Sequence, residues 1–155
     1  MRLSDFIVRE AVVTSLNANT KEGVIREMVN SLLNSGRIQP GDVDEIVRAI
    51  LKREMLGSTA ISRGVAIPHA KHASIKRLIG TIGVHGAGVG FDSKDGSPVH
   101  VIVMIVSPED RPGDHLRALD SVSRALRNEL FVGKIRGAGN LENINLLIDA
   151  PESIA

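Results

Sequence analysis

The chain contains no cysteine, tryptophan or tyrosine, and its only aromatic side chains are Phe6, Phe91 and Phe131. The missing cysteines exclude disulfides, thiolate nucleophiles and cysteine-ligated zinc sites. The missing Tyr and Trp leave almost nothing for a nucleic-acid base to stack on. Charge of one sign is missing too: 19 Lys and Arg against 18 Asp and Glu give a formal net charge of +1, so no broad field points at nucleic acid. Long apolar runs are also absent. The longest, Val101–Val106, is far too short to cross a bilayer, and Met1-Arg2-Leu3-Ser4-Asp5 does not open a signal peptide. No membrane insertion is expected, and the default location is cytoplasmic. The sequence has no G-x-S-x-G elbow, no phosphate-loop lysine motif and no H-E-x-x-H zinc pair. Gly86-Ala87-Gly88-Val89-Gly90 lacks the glycine spacing of a dinucleotide loop and precedes no clear helix, so it reads as a turn between strands.

What is present is an aliphatic core. Hydrophobic residues make up 43% of a 155-residue chain, without repeats, low-complexity tracts or a recognisable linker, so one domain over 1–155 is expected. A chain of this size buries roughly 68–70% of its unfolded surface. Residues 20–35 predict a helix capped by Thr20, with Val24, Ile25, Met28, Val29, Leu32 and Leu33 as one stripe and Gly36 as the stop. Residues 42–55 predict a second, with Asp42 and Glu45 as a capping box and Val43, Ile46, Val47, Ile50 and Leu51 at helical spacing. Leu78–Val84 and Val99–Val106 read as strands, the latter apolar throughout and suited to burial on both faces. Val12–Leu16 is a further strand candidate, and the stretch GAGVGFDSKDGSP reads as loop. A helix from about Asp114 to Leu126 is expected to bury Leu116, Leu119, Val122 and Leu126. Another, from Asn140, is expected to bury Leu141, Ile144, Leu147 and Ile148, while residues 130–138 are ambiguous. The expected fold class is α/β, a single domain with a mixed sheet of about five strands flanked by helices on both faces.

Five histidines, His69, His72, His85, His100 and His115, are the main chemical candidates. Taken singly, each reads most readily as an ordinary hydrogen-bonding residue, and no spacing among them matches a zinc motif. His69 stands apart by its setting. The apolar segment Val65-Ala66-Ile67 is stopped by Pro68, and the small Ala70 follows, which puts an imidazole at the end of a buried strand with room beside it. Neutral imidazole is a good nucleophile near its ordinary pKa of about 6.5. A phosphoryl adduct would add about −1.5 to −2 charges and need donors. Ser58, Thr59 and the glycines of 57–64 are candidates, with Arg53 at the end of its helix as the cation. The neighbouring basic residues Arg48 and Lys52 read as solvated.

From Arg53-Glu54 through GSTAISRGVAIPHA, the sequence resembles the fructose/mannitol-type (type 2) enzyme IIA family of the bacterial phosphotransferase system. It looks nearest to the stand-alone nitrogen-regulatory branch. TKEGVIREMVNSLLNSGRI and the acidic-capped helix ending in RE extend the likeness over nearly the whole chain. The resemblance implies a histidine phosphotransferase with His69 as phosphoryl acceptor at Nε2. It implies Arg53 as the cation that neutralises the phosphoryl group and His115 as the second histidine, stabilising the group or orienting the ring. His115 also falls in the first turn of a predicted helix, where free N–H groups favour an anion. No cofactor or metal is implied. The implied donor is an HPr-like phosphocarrier, and the implied acceptor is an enzyme IIB or a regulated target protein. The lack of a fused IIB or membrane segment favours the regulatory role over sugar transport, and a non-catalytic binding module of the same fold is the alternative from another class. The sequence departs from the family where Ala60 and Ser62 stand in place of frequent glycines, and where His100 replaces a common acid. If those glycines use positive φ, the loop before His69 is reshaped.

Overall fold

The computed structural model describes residues 1–150, so the last five residues of the expected 1–155 domain lie outside the described residues. Short 3-10 turns at Leu3–Asp5 and Arg9–Ala11 open the chain. The helices are α1 (Lys21–Asn34), α2 (Val43–Met55), α3 (Pro112–Arg127), α4 (Glu129–Gly137) and α5 (Leu141–Asp149). The strands are β1 (Ala60–Ile61), β2 (Val65–Ala66), β3 (His69–His72), β4 (Ile79–Val89) and β5 (Val99–Pro108).

β5 is the centre of the sheet. β2 and β3 both run parallel to it along one edge, with Val65 opposite Val101 and His69 opposite Ile105. Both keep the same register, so they are one strand interrupted at Ile67–Pro68, where proline has no N–H to give to a ladder. β4 pairs antiparallel on the other edge, and β1 closes back on β2 as a hairpin. The result is the expected mixed five-stranded sheet. Its two faces carry separate cores. α1 and α2 cover one, against Ile102, Met104 and Val106; α3, α4 and α5 cover the other, against Val101, Val103 and Ile105. The alternation of these residues along β5 explains why its sequence is apolar without a break.

The first helix matches its signals. Thr20 Oγ1 accepts from the Gly23 N–H at 3.0 Å. At the other end the N–H groups of Gly36 and Arg37 donate to the Leu33 and Leu32 carbonyls, with Gly36 at φ +77°, a Schellman stop. Four expectations are corrected. Asp42 sits in helical geometry with no side-chain cap, because a 3-10 turn at Pro40–Asp42 already leads into α2. Val12–Leu16 is not a strand: the 3-10 turn before it leaves only one bridge, Val13 to Gly83, and a bond from the Leu16 N–H to the Val84 carbonyl. β4 runs on through Gly86–Val89, which were expected to be loop, with an irregularity between Val84 and Val89. Leu116 is 66% and Leu141 38% exposed, so neither belongs to the core. In α3 the buried residues are His115, Ala118, Ser121, Val122, Ala125 and Leu126, so Val122 and Leu126 are buried as expected while His115 and Ala118 take the place of Leu116. Of the ambiguous residues 130–138, all but Ala138, the C-cap, fall in α4, whose start is capped by the Asn128 side chain.

Candidate functional site

His69 opens β3 directly after Pro68, and its ring is half-buried. Its Nδ1 lies 2.8 Å from the Ile67 carbonyl oxygen. A carbonyl can only accept, so Nδ1 carries the proton and the lone pair is on Nε2. Burial is the main influence pushing this imidazole below its ordinary pKa. The bond to Ile67 opposes that shift, the cation of Arg53 adds to it, Glu54 opposes it and Lys71 adds to it.

His115 comes from α3, which packs on the opposite face of the sheet from α2. Its ring centre is 5.4 Å from that of His69, with the planes tilted by 57°. Its Nδ1 is 2.6 Å from the Ser107 hydroxyl, near the end of β5. The side chain is buried, and this, followed by the neighbouring His69 and Lys71, lowers its pKa to about 4. His115 is therefore neutral at physiological pH. Its own N–H bonds the Arg111 carbonyl at 3.2 Å, so it is not one of the free donors expected of a helix start.

Arg53 lies in the last turn of α2, and its Nη1 donates to the Gly57 carbonyl at 2.9 Å. The loop holding Gly57 is anchored in turn by buried Glu54. That carboxylate accepts from the Thr59 N–H at 3.1 Å and from the Thr59 hydroxyl, and pairs with Lys21 Nζ at 2.8 Å. Ser58 donates to the Phe91 carbonyl at 2.5 Å. The Ser58 and Thr59 hydroxyls expected as ligand donors are thus committed to holding the loop.

His69, His115 and Arg53 line one open cleft of about 380 Å³, together with Ala49, Lys52, Leu56, Ala70 and Lys71. Lys52 is exposed, as its helix pattern suggests, and also lines this cleft. Lys71 went unnoticed in the sequence, although its signal was there: two residues beyond His69 on a strand is the same face. Ser107 gave no signal, since nothing local marks a hydroxyl eight residues before His115.

The other histidines serve the scaffold. His85 Nε2 donates to the Ala18 carbonyl at 2.8 Å and its Nδ1 accepts from the Gly88 N–H at 3.0 Å. His100 Nδ1 donates to the His85 carbonyl at 3.0 Å. His72, on the strand face opposite His69, reaches Glu45 at 3.4 Å. No group of three or more potential metal ligands occurs among the described residues. Ala60 and Ser62 do not take positive φ. The turn before β2 places it on Arg63 and Gly64 instead, so the two departures impose no strain.

Residues 5–150 match the family model described as phosphoenolpyruvate-dependent sugar phosphotransferase system, EIIA 2. The chain belongs to that family. EIIA domains are phosphotransfer proteins that work between phosphoryl donors and IIB proteins. This member is 28% identical over 155 residues to a nitrogen regulatory protein of Bradyrhizobium diazoefficiens, covering all of this chain and 99% of that one. It is 36% identical over 129 residues to the fructose-specific EIIABC component of Bacillus subtilis, covering 83% of this chain but 20% of that longer protein. Among solved structures, the nitrogen regulatory protein IIA-Ntr of Neisseria meningitidis superposes with a TM-score of 0.83 at 26% identity, covering 94% of this chain and 98% of that one. No helix among the described residues of this EIIA chain is long and apolar enough to cross a membrane.

Proposed function

We propose that this chain takes a phosphoryl group onto Nε2 of His69 from the phosphohistidine of an HPr-like carrier and acts as a regulatory phosphocarrier. The observation that carries the reading is the Nδ1–H bond to the Ile67 carbonyl. It leaves the lone pair on Nε2, and the partly buried ring is held neutral, the form that attacks phosphorus.

In the transfer, Nε2 attacks in line as the donor's P–N bond breaks; the bonding pair returns to the donor nitrogen, whose ring leaves neutral because its other nitrogen already carries a proton, and His69 keeps its Nδ1 proton as a phosphorylated imidazolium. Little covalent chemistry falls to the protein, so positioning and charge dominate. Arg53 stays anchored through one Nη1 proton while its remaining N–H groups are available to equatorial oxygens. With the Ser107 hydroxyl donating to its Nδ1, His115 carries its proton on Nε2 and donates it to the phosphoryl group as a neutral hydrogen-bond donor. Loading adds about −1.5 to −2 charges to one surface, a change large enough to alter which proteins bind there.

The regulatory role is supported by end-to-end similarity to a nitrogen regulatory protein. Similarity to the fructose-specific component favours a second reading, in which phosphate passes to a fructose/mannitol-type IIB for transport. The test is incubation with phosphoenolpyruvate, enzyme I and an HPr-type carrier, comparing wild type with His69→Ala by intact mass at neutral and acid pH. An acid-labile gain of one phosphoryl group that is absent in the variant is expected. Failure with every donor pair would mean a binding module that keeps the fold without the chemistry. Rapid discharge to a IIB would favour transport.

A further inference from the structure

A second cleft, of about 350 Å³, lies between residues 36–39, on the way from α1 to α2, and residues 74–77, between β3 and β4. It shares no lining residue with the cleft around His69. Its apolar side chains are Ile38, Ile75 and Ile79, all buried. Its charged ones are Arg37, Lys76 and Arg77, all exposed, and no carboxylate lines it. None of the three has a side-chain hydrogen bond or ion pair among the described residues. Glu109 and Asp110 line a neighbouring cleft that shares Ile75 and Lys76, but Arg37 and Arg77 do not line that one. The chain as a whole carries a formal charge of only +1, so the positive potential here is local. A hollow with charges of one sign and an apolar floor focuses such a field. Both walls are held in place. The Arg37 N–H donates to the Leu32 carbonyl at 3.0 Å, the Ile75 N–H to the His72 carbonyl at 3.2 Å, and the Ser74 N–H to Nδ1 of His72 at 3.1 Å.

We infer that this cleft binds a small phosphate ester. The inference does not depend on His69 accepting a phosphoryl group. Two guanidinium forks and an ammonium offer more donors than one carboxylate can accept, whereas a phosphate monoester, with three terminal oxygens and nearly two charges, engages all three cations together. The volume falls at the lower end of the roughly 300–1,000 Å³ usual for small-molecule sites. None of the three phenylalanines lines the cleft, so a nucleobase has no ring to stack on. The isoleucines suit a short carbon chain, and the Gln39 amide, which also lines the cleft, suits its hydroxyl groups. Walls already fixed by backbone bonds lower the ordering cost of binding.

The experiment is an amide NMR titration of the whole chain with glycerol 3-phosphate and with 3-phosphoglycerate, against inorganic phosphate and citrate as controls. Saturable shifts centred on residues 36–39 and 74–77 are expected with both esters, and binding at least about tenfold weaker with either control. Arg37→Gln/Arg77→Gln removes two charged donors from exposed positions and is expected to weaken ester binding by about tenfold or more, with an unchanged urea midpoint. Lys52→Gln/Lys71→Gln, in the other basic cleft, is expected to leave it as in wild type. The inference is overturned if wild type shows no saturable shifts, or if the Arg37/Arg77 variant binds as tightly as wild type. It is equally overturned if the Lys52/Lys71 variant loses binding instead, which would seat the esters beside His69. Citrate or inorganic phosphate binding as tightly as the esters would reduce the cleft to a general anion site. Sedimentation with phosphatidic acid vesicles, without binding of either free ester, would make the ligand a lipid headgroup and overturn it too.

Discussion

His115 stands 5.4 Å from His69, ring centre to ring centre, although one is carried by an edge strand and the other by a helix. His69 sits on an edge strand, and His115 reaches it from α3, with its far nitrogen tied to Ser107 on β5. Support of this kind fixes ring orientation without contributing a charge.

Removing it should therefore slow transfer without abolishing it. His115→Ala is expected to reduce the single-turnover rate of His69 phosphorylation by about 10²-fold, the scale of one lost transition-state donor. Ser107→Ala should give a smaller loss of the same kind. Quench-flow with a phosphorylated carrier reads both, and His115→Ala running at the wild-type rate would remove its assigned role.

The pH dependence of uptake follows from His69. Its pKa is lowered first by burial and further by Arg53, so the neutral nucleophile persists below pH 6.5. The rate should stay level through neutral pH and fall only on the acid side of the ordinary imidazole range. Arg53→Ala removes one of the lowering influences, so the midpoint of that fall should move up in pH, along with a lower plateau. A plateau and midpoint both unchanged would contradict the placement of Arg53.

His115 links pH to stability. It binds protons less readily folded, with a pKa of about 4, than unfolded at 6.5. The unfolded chain therefore gains protons first on acidification. The stability tied to neutral His115 is complete above pH 6.5, is lost as pH falls towards 4, and changes no further below that. A shift of this size corresponds to roughly 3 kcal/mol. Urea unfolding of wild type and His115→Gln between pH 7 and 4 should show the steeper decline in wild type; parallel curves would count against it.

Glu54 is the buried anchor of the arginine loop. Glu54→Gln takes from partly buried Lys21 its nearer carboxylate, leaving only Asp92 at 3.5 Å, and weakens the hold on Thr59. A cost of about 3–5 kcal/mol is expected, as for a buried pair broken on one side. Asp149→Asn, which breaks the exposed pair with Arg9, should cost far less. Chemical denaturation compares the two directly, and similar losses would mean Glu54 does not bear that load.

Much of this was legible in the sequence. The α1 stripe, its Thr20 cap and its Gly36 stop are local signals, and β5 announces burial on both faces by being apolar throughout. Pro68 before His69 correctly marked the end of a strand segment, though not that the strand resumes in register at His69. Leu116 shows where pattern reading fails. A leucine outranks an alanine in hydrophobicity, yet α3 turns Ala118 and Ala125 inward for close packing, which is also what carries His115 in. The Ser107–His115 and Glu54–Lys21 contacts join residues from different elements, and no local period encodes them. Ser58 and Thr59 were the right loop with the wrong task, because a hydroxyl's partner is settled by tertiary neighbours such as Phe91 and Glu54.

The tether from Nδ1 of His69 to the Ile67 carbonyl has a consequence for the direction of flow. Under the proposed transfer, one nitrogen on an unturned ring both loads and unloads, so the two half-reactions pass through mirror-related transition states on this chain's side. The fold then acts as a two-way relay: whether phosphate moves toward the acceptor or back to the carrier depends on the hydrolysis free energies of the partners' own adducts and on their concentrations.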